Sequence, residues 1–419
     1  MKIIYLHQYF NTPEMSGGTR SYEMARRMVE AGHEVHMITS CRNSNSAVND
    51  WFISHEAGIK VHWYPVPYSN KMTYFQRMKA FFSFALSASF RSASLKGDVV
   101  FATSTPLTIA IPAVFSARKN KIPLVFEVRD LWPEMPIAMG ALNNSLLRHM
   151  ARRLERWAYK NSSAIVALSP GMKDGVVRSG YPINKVAVIP NGSDNSEFEL
   201  DHIAAEKFRS ERAWLGSKPL LIYTGTFGKV NDVNYMVNLA VELKKIKSNV
   251  RILLVGDGSE KNIVIDNAKS SEVFEDNVFF ESSVPKKDIP ILFSAATMAS
   301  NLVIDIPEAR ANSANKFFDT LASGKPVFLN HGGWMHDVIN YHGCGYSSWN
   351  IPLAEVAKNL NDILNDKEWL AQAGSQSKVI AESYFDRDIL AQNLIDSITL
   401  AVVDRAVEVK ALAPGEYLK

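Results

Sequence analysis

The chain repeats one local pattern, once in each half. A short apolar strand leads into a glycine-containing turn, an amphipathic helix and a further strand. In the first half these segments are 3–6, 17–18, 19–31 and 34–39, and in the second half they are 220–224, 225–229, 232–247 and 251–255. Such alternation is typical of parallel sheets flanked by helices. The pattern therefore predicts an α/β protein with two similar domains in tandem.

The length and the turn signals place the domain boundary. A chain of 419 residues exceeds one ordinary α/β domain. Strand 186–189 ends in Pro190-Asn191-Gly192, so we expect domains at 1–190 and 191–386 with a hinge within 191–216. Ligands of open parallel sheets bind at the carboxyl ends of the strands. Further strands are predicted at 98–102, 124–128, 164–168, 278–280 and 327–329.

The composition is that of a globular protein, with 47% hydrophobic and 21% charged residues. Cys41 and Cys344 lie far apart and form no Cys-x-x-Cys motif, which disfavours a disulfide framework or a zinc site and fits a reducing cytoplasm. The first residues lack the apolar core of a signal peptide, and no apolar run reaches the 18 residues of a spanning helix. We therefore expect a cytoplasmic protein that is soluble or peripheral to a membrane.

The net charge of +3 hides a division between the halves, because residues 1–190 carry +11 and residues 191–419 carry −8. A basic half indicates an anionic partner such as a membrane surface, a pyrophosphate-linked lipid or nucleic acid. Nucleic acid is disfavoured because the basic regions contain no known recognition motif. The alternative is a merely solvated charged surface.

Residues 315–326 combine a helix with its stop signal. Phe317, Phe318 and Leu321 would form its apolar face, and Gly324 and Pro326 would end it. The first free amides of such a helix, at Asn315, together with Lys316, suit an anion such as a diphosphate. One turn on, Asp319 would accept a hydrogen bond from a ribose. The alternative is an ordinary amphipathic helix between two strands.

This segment resembles the donor-binding motif of the retaining family 4 glycosyltransferases, in which two glutamates eight positions apart precede a helix that ends in Gly-x-Pro. Asp319 stands in the place of the second acid, and Ala311 stands where the first belongs. Residues 313–316 resemble one subgroup of the family more closely than the usual motif. The enzymes of this subgroup, which include N-acetylfucosamine transferases, build bacterial surface polysaccharides such as O-antigen and capsule. The resemblance implies the GT-B fold: two Rossmann-like domains with parallel sheets facing across a cleft, and a C-terminal helix from 387 that crosses back onto the first domain.

In each half, one glycine-containing turn follows the opening strand. Gly17 and Gly18 match the family's glycine turn, whose backbone amides approach the donor phosphates. Residues 224–229 resemble the family's Gly-x-x-x-x-Lys phosphate loop, which implies donor contacts for Gly225, Thr226 and Gly228 and a point charge from Lys229. The alternatives are a simple tight turn and an exposed lysine.

Two further strand ends carry a resemblance. The turn at Gly256 resembles the family's Val-Gly-x-Gly turn near the nucleotide, and Val284 lies in a segment that resembles the one whose backbone reads the base. Ordinary strand-end turns remain the alternative for both.

Residues 127–134 carry four charges at the end of strand 124–128, which is costly at a cleft unless something binds there. Many family members have His-Asp here, and Arg129 takes the place of the histidine. A guanidinium is always charged, so Arg129 would clamp or stabilise negative charge. With Glu127 and Asp130 it forms the predicted catalytic set on the acceptor side. The alternative is a structural ion pair among the three.

The sequence contains little that indicates a metal site or a cofactor site. The one Asp-x-Asp, Asp386 and Asp388, lies at a helix start, where carboxylates favour capping. Members of the GT-B class usually need no metal, so we expect neither a metal nor another cofactor.

One segment has the character of a basic amphipathic helix, which can lie in a lipid interface. Its apolar residues at helical spacing are Phe75, Met78, Phe81, Phe82, Ala85, Leu86 and Phe90, with Arg77, Lys79 and Arg91 nearby. A second basic face comprises Arg148, Arg152, Arg153, Arg156 and Lys160. Such an apolar stripe is more often core, so burial is favoured for much of it.

The resemblance implies a retaining glycosyltransferase at the inner face of the cytoplasmic membrane. It would move a sugar from a UDP-sugar to a polyprenyl-pyrophosphate-linked oligosaccharide, with Lys229 and Lys316 at the leaving diphosphate. Two rival interpretations are a nucleotide-sugar epimerase or hydrolase on the same scaffold, and a non-catalytic nucleotide-sugar binding protein.

Overall fold

The computed structural model describes residues 1–15, 17–42, 50–68 and 72–403. It divides into two units. Unit 1 comprises Met1–Pro190 and the C-terminal segment that begins at Asp388, and unit 2 comprises Asn191–Arg387. In the described part of the chain, no helix combines the length and apolar character needed to cross a membrane.

Unit 1 is an eight-stranded sheet with helices. Its strands are β1 (Lys2–Leu6), β2 (Glu34–Cys41), β3 (Phe52–Glu56), β4 (Ile59–Pro65), β5 (Val99–Thr103), β6 (Leu124–Val128), β7 (Ala164–Ala167) and β8 (Val186–Val188). Its helices are α1 (Arg20–Glu30), α2 (Tyr74–Ser94), α3 (Ala110–Asn120), α4 (Glu134–Ala138), α5 (Ser145–Lys160) and α6 (Pro170–Arg178). The strand order is β3-β4-β2-β1-β5-β6-β7-β8.

The sheet of unit 1 is parallel except at one edge, where β3 pairs with β4 in antiparallel register. The two strands are joined by Ala57 and Gly58, whose φ angles of +47° and +80° suit a tight hairpin turn. This hairpin adds one antiparallel edge strand to the predicted parallel sheet. The central strands β1, β5, β6 and β7 are mainly apolar and almost fully buried on both faces, as parallel strands are.

Unit 2 is a six-stranded parallel sheet in the order β11-β10-β9-β12-β13-β14. Its strands are β9 (Leu220–Thr226), β10 (Arg251–Asp257), β11 (Val278–Glu281), β12 (Met298–Asn301), β13 (Val327–Leu329) and β14 (Gly345–Ser347). Its helices are α7 (His202–Ser210), α8 (Asn234–Lys245), α9 (Lys261–Ser270), α10 (Ile289–Ala295), α11 (Asn315–Ala322), α12 (Trp334–His342), α13 (Leu353–Asn365) and α14 (Lys367–Tyr384). The last helix of the described residues is α15 (Arg387–Val402).

Helix α11 has the predicted buried face, since Phe317, Phe318 and Leu321 are all 0% exposed. Both phenylalanine rings make edge contacts with Phe385 at centroid distances of 6.3 and 5.1 Å. Gly324, with φ +61°, follows the helix in the left-handed conformation that ends many helices. The core of unit 2 thus fixes which face of α11 remains accessible.

Helix α2 separates the predicted apolar stripe into two faces. Ala85 is buried, and Phe81 contacts the rings of Tyr9 and Tyr68. The favoured burial is wrong for four other residues, which point to solvent: Phe75, Phe82, Leu86 and Phe90 are 79, 52, 65 and 61% exposed. Their spacing of four or seven places them on one side of the helix.

Candidate functional site

The start of α11 is held by the segment that begins unit 2. The backbone amide of Asn191 donates to Ser313 Oγ at 3.1 Å, and its side-chain Nδ2 donates to the Ser313 carbonyl at 2.5 Å. Ala314 occupies the N-cap, where a methyl side chain cannot accept from the first-turn amides. Amides at a helix N-terminus attract anions. The amides of Asn315 and Lys316 therefore form a candidate anion site, as predicted for this helix.

Lys316 places its ammonium over the end of β9. Nζ donates to the Tyr223 hydroxyl at 3.1 Å and lies 4.4 Å from the centre of the Tyr223 ring. A Cβ placed on Gly225 would come within 3.1 Å of this Nζ, so the ammonium rests against the glycine backbone. Burial lowers the pKa of Lys316 to about 8, because the ammonium is taken from water. A desolvated cation beside a glycine turn and a helix N-terminus suits a diphosphate.

Asp319 lies one turn further along α11, and its Oδ1 accepts a hydrogen bond from Ser193 Oγ at 2.8 Å. Burial raises the pKa of Asp319 to about 6, while the hydrogen bond from Ser193 and the positive charges of Arg387 and Lys286 oppose this rise. Lys286 follows the half-buried Val284 in the loop after β11. The structure therefore brings the predicted ribose acceptor close to the loop that is predicted to read the base.

The boundary segment, residues 191–194, is a part of the site that the sequence interpretation missed. It was predicted only as a hinge, yet Asn191 and Ser193 contact α11 directly. Arg387 forms an ion pair with Asp194 and donates to the Gly192 carbonyl at 2.8 Å, which fixes the segment in place. The available signal was a run of small polar residues immediately after a strand end.

The glycines at the ends of β9 and β10 are required by the way the two strand ends pack. Gly256 has φ +151°, and a Cβ there would lie 1.8 Å from the Gly225 carbonyl oxygen. The Phe227 amide also donates to the Asp257 carbonyl at 2.9 Å, so the two turns pack backbone to backbone. Gly228 differs, since its φ is −117° and a Cβ would meet nothing closer than 3.5 Å. Donor contacts of Gly256 and Gly228 stay predictions.

Thr226 and Lys229 have exposed side chains on the loop that follows Gly225. The Thr226 carbonyl accepts from the Tyr223 hydroxyl at 2.8 Å, and Lys229 opens a short 3-10 helix, Lys229–Asn231. The loop begins next to Gly225, which Lys316 contacts. In the described structure, however, Lys229 makes no direct contact with Lys316. Its role as a second cation stays a prediction.

Glu127 lies in the interior of unit 1 and is 0% exposed. Oε1 accepts from Arg20 Nε and Nη2 at 3.1 and 2.9 Å, and Oε2 accepts from Thr103 Oγ1 at 2.6 Å. Arg20 also donates to the carbonyls of Ile189 and Pro190. Because the Glu127 side chain has no exposed surface and both of its oxygens are hydrogen-bonded within unit 1, a substrate cannot reach it in this structure. The predicted catalytic role of Glu127 is therefore corrected to a structural one, anchoring α1 to β6 and the end of β8.

Arg129 and Asp130 follow the end of β6 and form no ion pair with Glu127, whose charged partner is Arg20. The Arg129 amide donates to Ser104 Oγ at 2.9 Å, and its Nη1 lies 3.4 Å from His7 Nε2. Burial and neighbouring guanidinium groups lower the pKa of His7, so this imidazole is neutral and can accept from Arg129. Asp130 is exposed. The contact with His7 was not foreseen from the sequence.

The Gly17-Gly18 turn precedes α1 in unit 1. Asn11 Nδ2 donates to the Gly18 carbonyl at 3.2 Å, and a Cβ on Gly17 would come within 2.6 Å of the same nitrogen. Gly17, with φ +128°, therefore lets Asn11 close the turn. The predicted contact of both glycines with donor phosphates stays a prediction.

Metal-ligating side chains do not gather in the described residues: no group of three or more His, Cys, Asp or Glu could hold an ion there. The two carboxylates of the Asp-x-Asp sequence are engaged separately. Asp386 accepts from Asn195 Nδ2 at 2.8 Å, and Asp388 forms an ion pair with Arg27 of α1.

Solved structures share the fold of the chain. HepE from Anabaena, in complex with UDP-glucose, has a TM-score of 0.69 at 16% identity, with 95% of this chain and 99% of that chain covered. Sucrose-phosphate synthase from Thermosynechococcus elongatus has a TM-score of 0.76 at 14% identity, with 94% and 97% covered. The predicted fold class, a two-domain α/β GT-B fold with parallel sheets, is thereby confirmed.

Two family models match the chain, one in each unit. The model described as "Glycosyl transferase 4-like domain" matches residues 17–192, and the model described as "Glycosyl transferases group 1" matches residues 204–379. The chain belongs to the family 4 glycosyltransferases of the GT-B class. This membership confirms the predicted enzyme class, a transferase. The surface-polysaccharide subgroup within the family stays a prediction.

Two curated proteins are related to parts of this glycosyltransferase. Spore coat protein SA of Bacillus subtilis is 24% identical over 198 residues, which are 46% of this chain and 51% of the relative. Alpha-monoglucosyldiacylglycerol synthase of Acholeplasma laidlawii is 22% identical over 281 residues, which are 62% of this chain and 65% of the relative. The chain thus spans between half and two thirds of the length of the curated relatives it matches.

Proposed function

We propose that this glycosyltransferase moves a sugar from a UDP-sugar to a polyprenyl-pyrophosphate-linked oligosaccharide, with retention, in the synthesis of a bacterial surface polysaccharide. One observation carries the proposal: the half-buried Lys316 ammonium, at the N-terminus of α11, rests against Gly225. UDP is favoured because HepE, which shares the fold, was solved with UDP-glucose. A lipid-linked acceptor is favoured because the Acholeplasma laidlawii relative is named as the synthase of a glucosylated lipid, alpha-monoglucosyldiacylglycerol.

The proposed roles follow from where charge develops. When the bond between the sugar and the diphosphate breaks, negative charge grows on the departing phosphate, and Lys316 and the first-turn amides of α11 stabilise it. Asp319 accepts from a ribose hydroxyl, in an orientation set by Ser193. Arg129 and Asp130 act on the acceptor side. By resemblance to the family, the departing phosphate takes the acceptor proton on the same face of the sugar.

The proposed site at the membrane is an exposed apolar and basic surface of unit 1, which we call the aromatic face. On α2 it comprises Phe75, Phe82, Leu86 and Phe90, and on α3 it comprises Phe115. The rings of Phe90 and Phe115 are 5.7 Å apart, and the Lys119 ammonium lies 5.9 Å from the Phe115 ring. Rings beside ammonium groups fit the interface of an anionic lipid bilayer.

Helix α5 adds a second exposed stripe to unit 1. Leu146, Met150 and Trp157 are 64, 57 and 36% exposed and lie at spacings of four and seven, with Arg153 between them on the same side. Contiguous exposed apolar groups of this kind mark interaction sites. A peripheral position on the inner face of the cytoplasmic membrane would bring the enzyme to a lipid-linked acceptor.

Product analysis tests the transfer. A thermal-shift screen across UDP, GDP and ADP should show stabilisation by UDP, and UDP release from UDP-N-acetylhexoses should rise in the presence of a lipid-linked acceptor. Transfer to the acceptor separates this proposal from donor interconversion without an acceptor, and from binding without turnover. A preference for GDP or ADP, or turnover that ignores the acceptor, would contradict it.

Flotation with vesicles tests the membrane partner. Phe82→Ser with Phe90→Ser should weaken binding to phosphatidylglycerol vesicles by 10-fold or more, since each exposed ring is worth about 1.5–3 kcal/mol when buried in lipid. Ile203→Ser is the matched control, because Ile203 is 83% exposed in unit 2. Equal flotation of the double variant and the native chain would refute the aromatic face as the lipid contact.

A further inference from the structure

Asp232 ends the loop that follows β9, and it does so in the left-handed conformation at φ +42°. Its carbonyl accepts from the Tyr235 amide at 3.0 Å, which joins the loop to α8. Aspartate and asparagine tolerate this conformation best among residues other than glycine. The carboxylate is half-buried, and burial raises its pKa to about 6. Within the described chain, no basic side chain forms an ion pair with it.

Asn330 directs its amide at this carboxylate. The residue is buried directly after β13, and its Oδ1 accepts from the Val303 amide at 3.0 Å. Nδ2 is therefore the group that faces Asp232, 3.5 Å from Oδ2. This distance is at the outer limit of a hydrogen bond. Amide and carboxylate thus keep hydrogen-bonding capacity for a third partner.

Three loops of unit 2 meet at this pair. The Ile304 amide donates to the Val230 carbonyl at 2.9 Å, and Asn330 holds Val303, so the loops after β9, β12 and β13 are joined. These strands are neighbours in the sheet. The Lys316 ammonium rests over Gly225 at the other end of the β9 loop. The pair therefore lies at the same carboxyl edge of the sheet as the proposed diphosphate site.

We propose that Asp232 and Asn330 bind hydroxyl groups of the transferred hexose and so select the donor sugar. This inference rests on the proposed function. A carboxylate accepts from one hydroxyl while an amide donates to a neighbouring one, so the pair reads the presence and the orientation of two groups. A sugar with a hydroxyl in the other orientation leaves a buried polar group unmatched, which a site built for hydrogen bonding penalises strongly.

Binding measurements with epimeric donors test the inference. Asp232→Asn keeps the size and the backbone tolerance of the residue but removes the charge. Asp276→Asn is the matched control, since Asp276 pairs with Lys244 on the surface of the same unit. Calorimetry with UDP, UDP-N-acetylglucosamine and UDP-N-acetylgalactosamine compares two sugars that differ only at C4. We expect the native chain to prefer one of them about 10- to 100-fold, and Asp232→Asn to lose most of that preference.

The affinity for UDP itself should stay within about twofold in Asp232→Asn, because the lost contact is to the sugar. Asn330→Ala should lose the epimer preference in the same way. An unchanged preference in Asp232→Asn, or none in the native chain, would overturn the inference and leave the UDP site standing. Loss of UDP affinity in Asp232→Asn would overturn it as well, because the residue would then support the phosphate loop. Failure of UDP to bind the native chain would remove the proposed function and this inference together.

Discussion

Replacing Lys316 by methionine should stabilise the free protein while weakening its affinity for UDP. Burial lowers the pKa of Lys316 from 10.5 to about 8, so keeping the ammonium charged at pH 7 costs the folded state up to about 3 kcal/mol. Methionine removes that cost, but it also removes the cation contact with the Tyr223 ring, worth about 1 kcal/mol. With a discount for the partial solvent access of Lys316, the net gain is about 1–2 kcal/mol.

The sign of the pH dependence follows from the direction of the shift. The pKa of Lys316 is lower in the folded state than in the unfolded state, so the penalty is full below pH 8 and fades between pH 8 and pH 10.5. The gain of Lys316→Met over the native chain should shrink across that window. UDP reverses the situation, since its diphosphate favours the charged lysine. Binding at pH 8 should therefore take up roughly half a proton in the native chain and none through this site in the variant.

Calorimetry and thermal unfolding measure both effects. A gain of 1–2 kcal/mol raises the melting temperature by about 2–8 °C in a unit of this size. Loss of a hydrogen bond between ammonium and diphosphate should weaken UDP binding about 10- to 100-fold. Lys325→Met is the matched control, because burial also lowers the pKa of Lys325 to about 8 and its Nζ lies 3.3 Å from the Ser294 carbonyl. The control should keep its UDP affinity. A Lys316→Met protein that melts lower and binds UDP as tightly as the native chain would refute the reasoning.

Three further substitutions probe the surroundings. Ser193→Ala removes the hydrogen bond that holds Asp319, so calorimetry should show UDP binding about 3- to 10-fold weaker. Because this hydrogen bond also lowers the pKa of Asp319, the variant should begin to lose UDP affinity at a higher pH than the native chain when the solution is acidified. Gly256→Ala should lower the free energy of urea unfolding by about 3 kcal/mol, because its Cβ would collide with Gly225; an unchanged midpoint would contradict the observed turn packing. Glu127→Gln should lower the unfolding free energy by about 3–5 kcal/mol while turnover per folded molecule persists, and loss of turnover in a fully folded variant would restore a catalytic role.

The sequence predicted strands best where burial alone decides them. Residues 327–329 are a continuous apolar run, residues 124–128 are apolar except for the buried Glu127, and the structure has strands with those bounds. Strands β12 (Met298–Asn301) and β14 (Gly345–Ser347) were missed because their residues form no apolar run. They are strands because β9 and β13 offer unpaired edges beside them, which no local pattern records.

The same limit applies to the site. Lys316 and Asp319 were found because one helix with its own stop signal carries both of them. The partner of Asp319, Ser193, lies 126 residues away in sequence, and Arg20 lies 107 residues from Glu127. The charge spacing near Glu127 indicated an ion pair but did not identify the partner. Only the folded chain shows that the partner is Arg20 and that the carboxylate is buried.

The contacts of residues 191–194 with α11 have a practical consequence for exchanging parts between enzymes of this family. A hybrid in which a foreign N-terminal unit ends at Pro190 retains Asn191 and Ser193, and with them the anchors of the α11 helix. A junction placed after Asp194 would replace those anchors and also deprive Arg387 of its counter-ion. We therefore expect the nucleotide preference of such a hybrid to depend on residues 191–194, although their position alone suggests a simple linker between the two units.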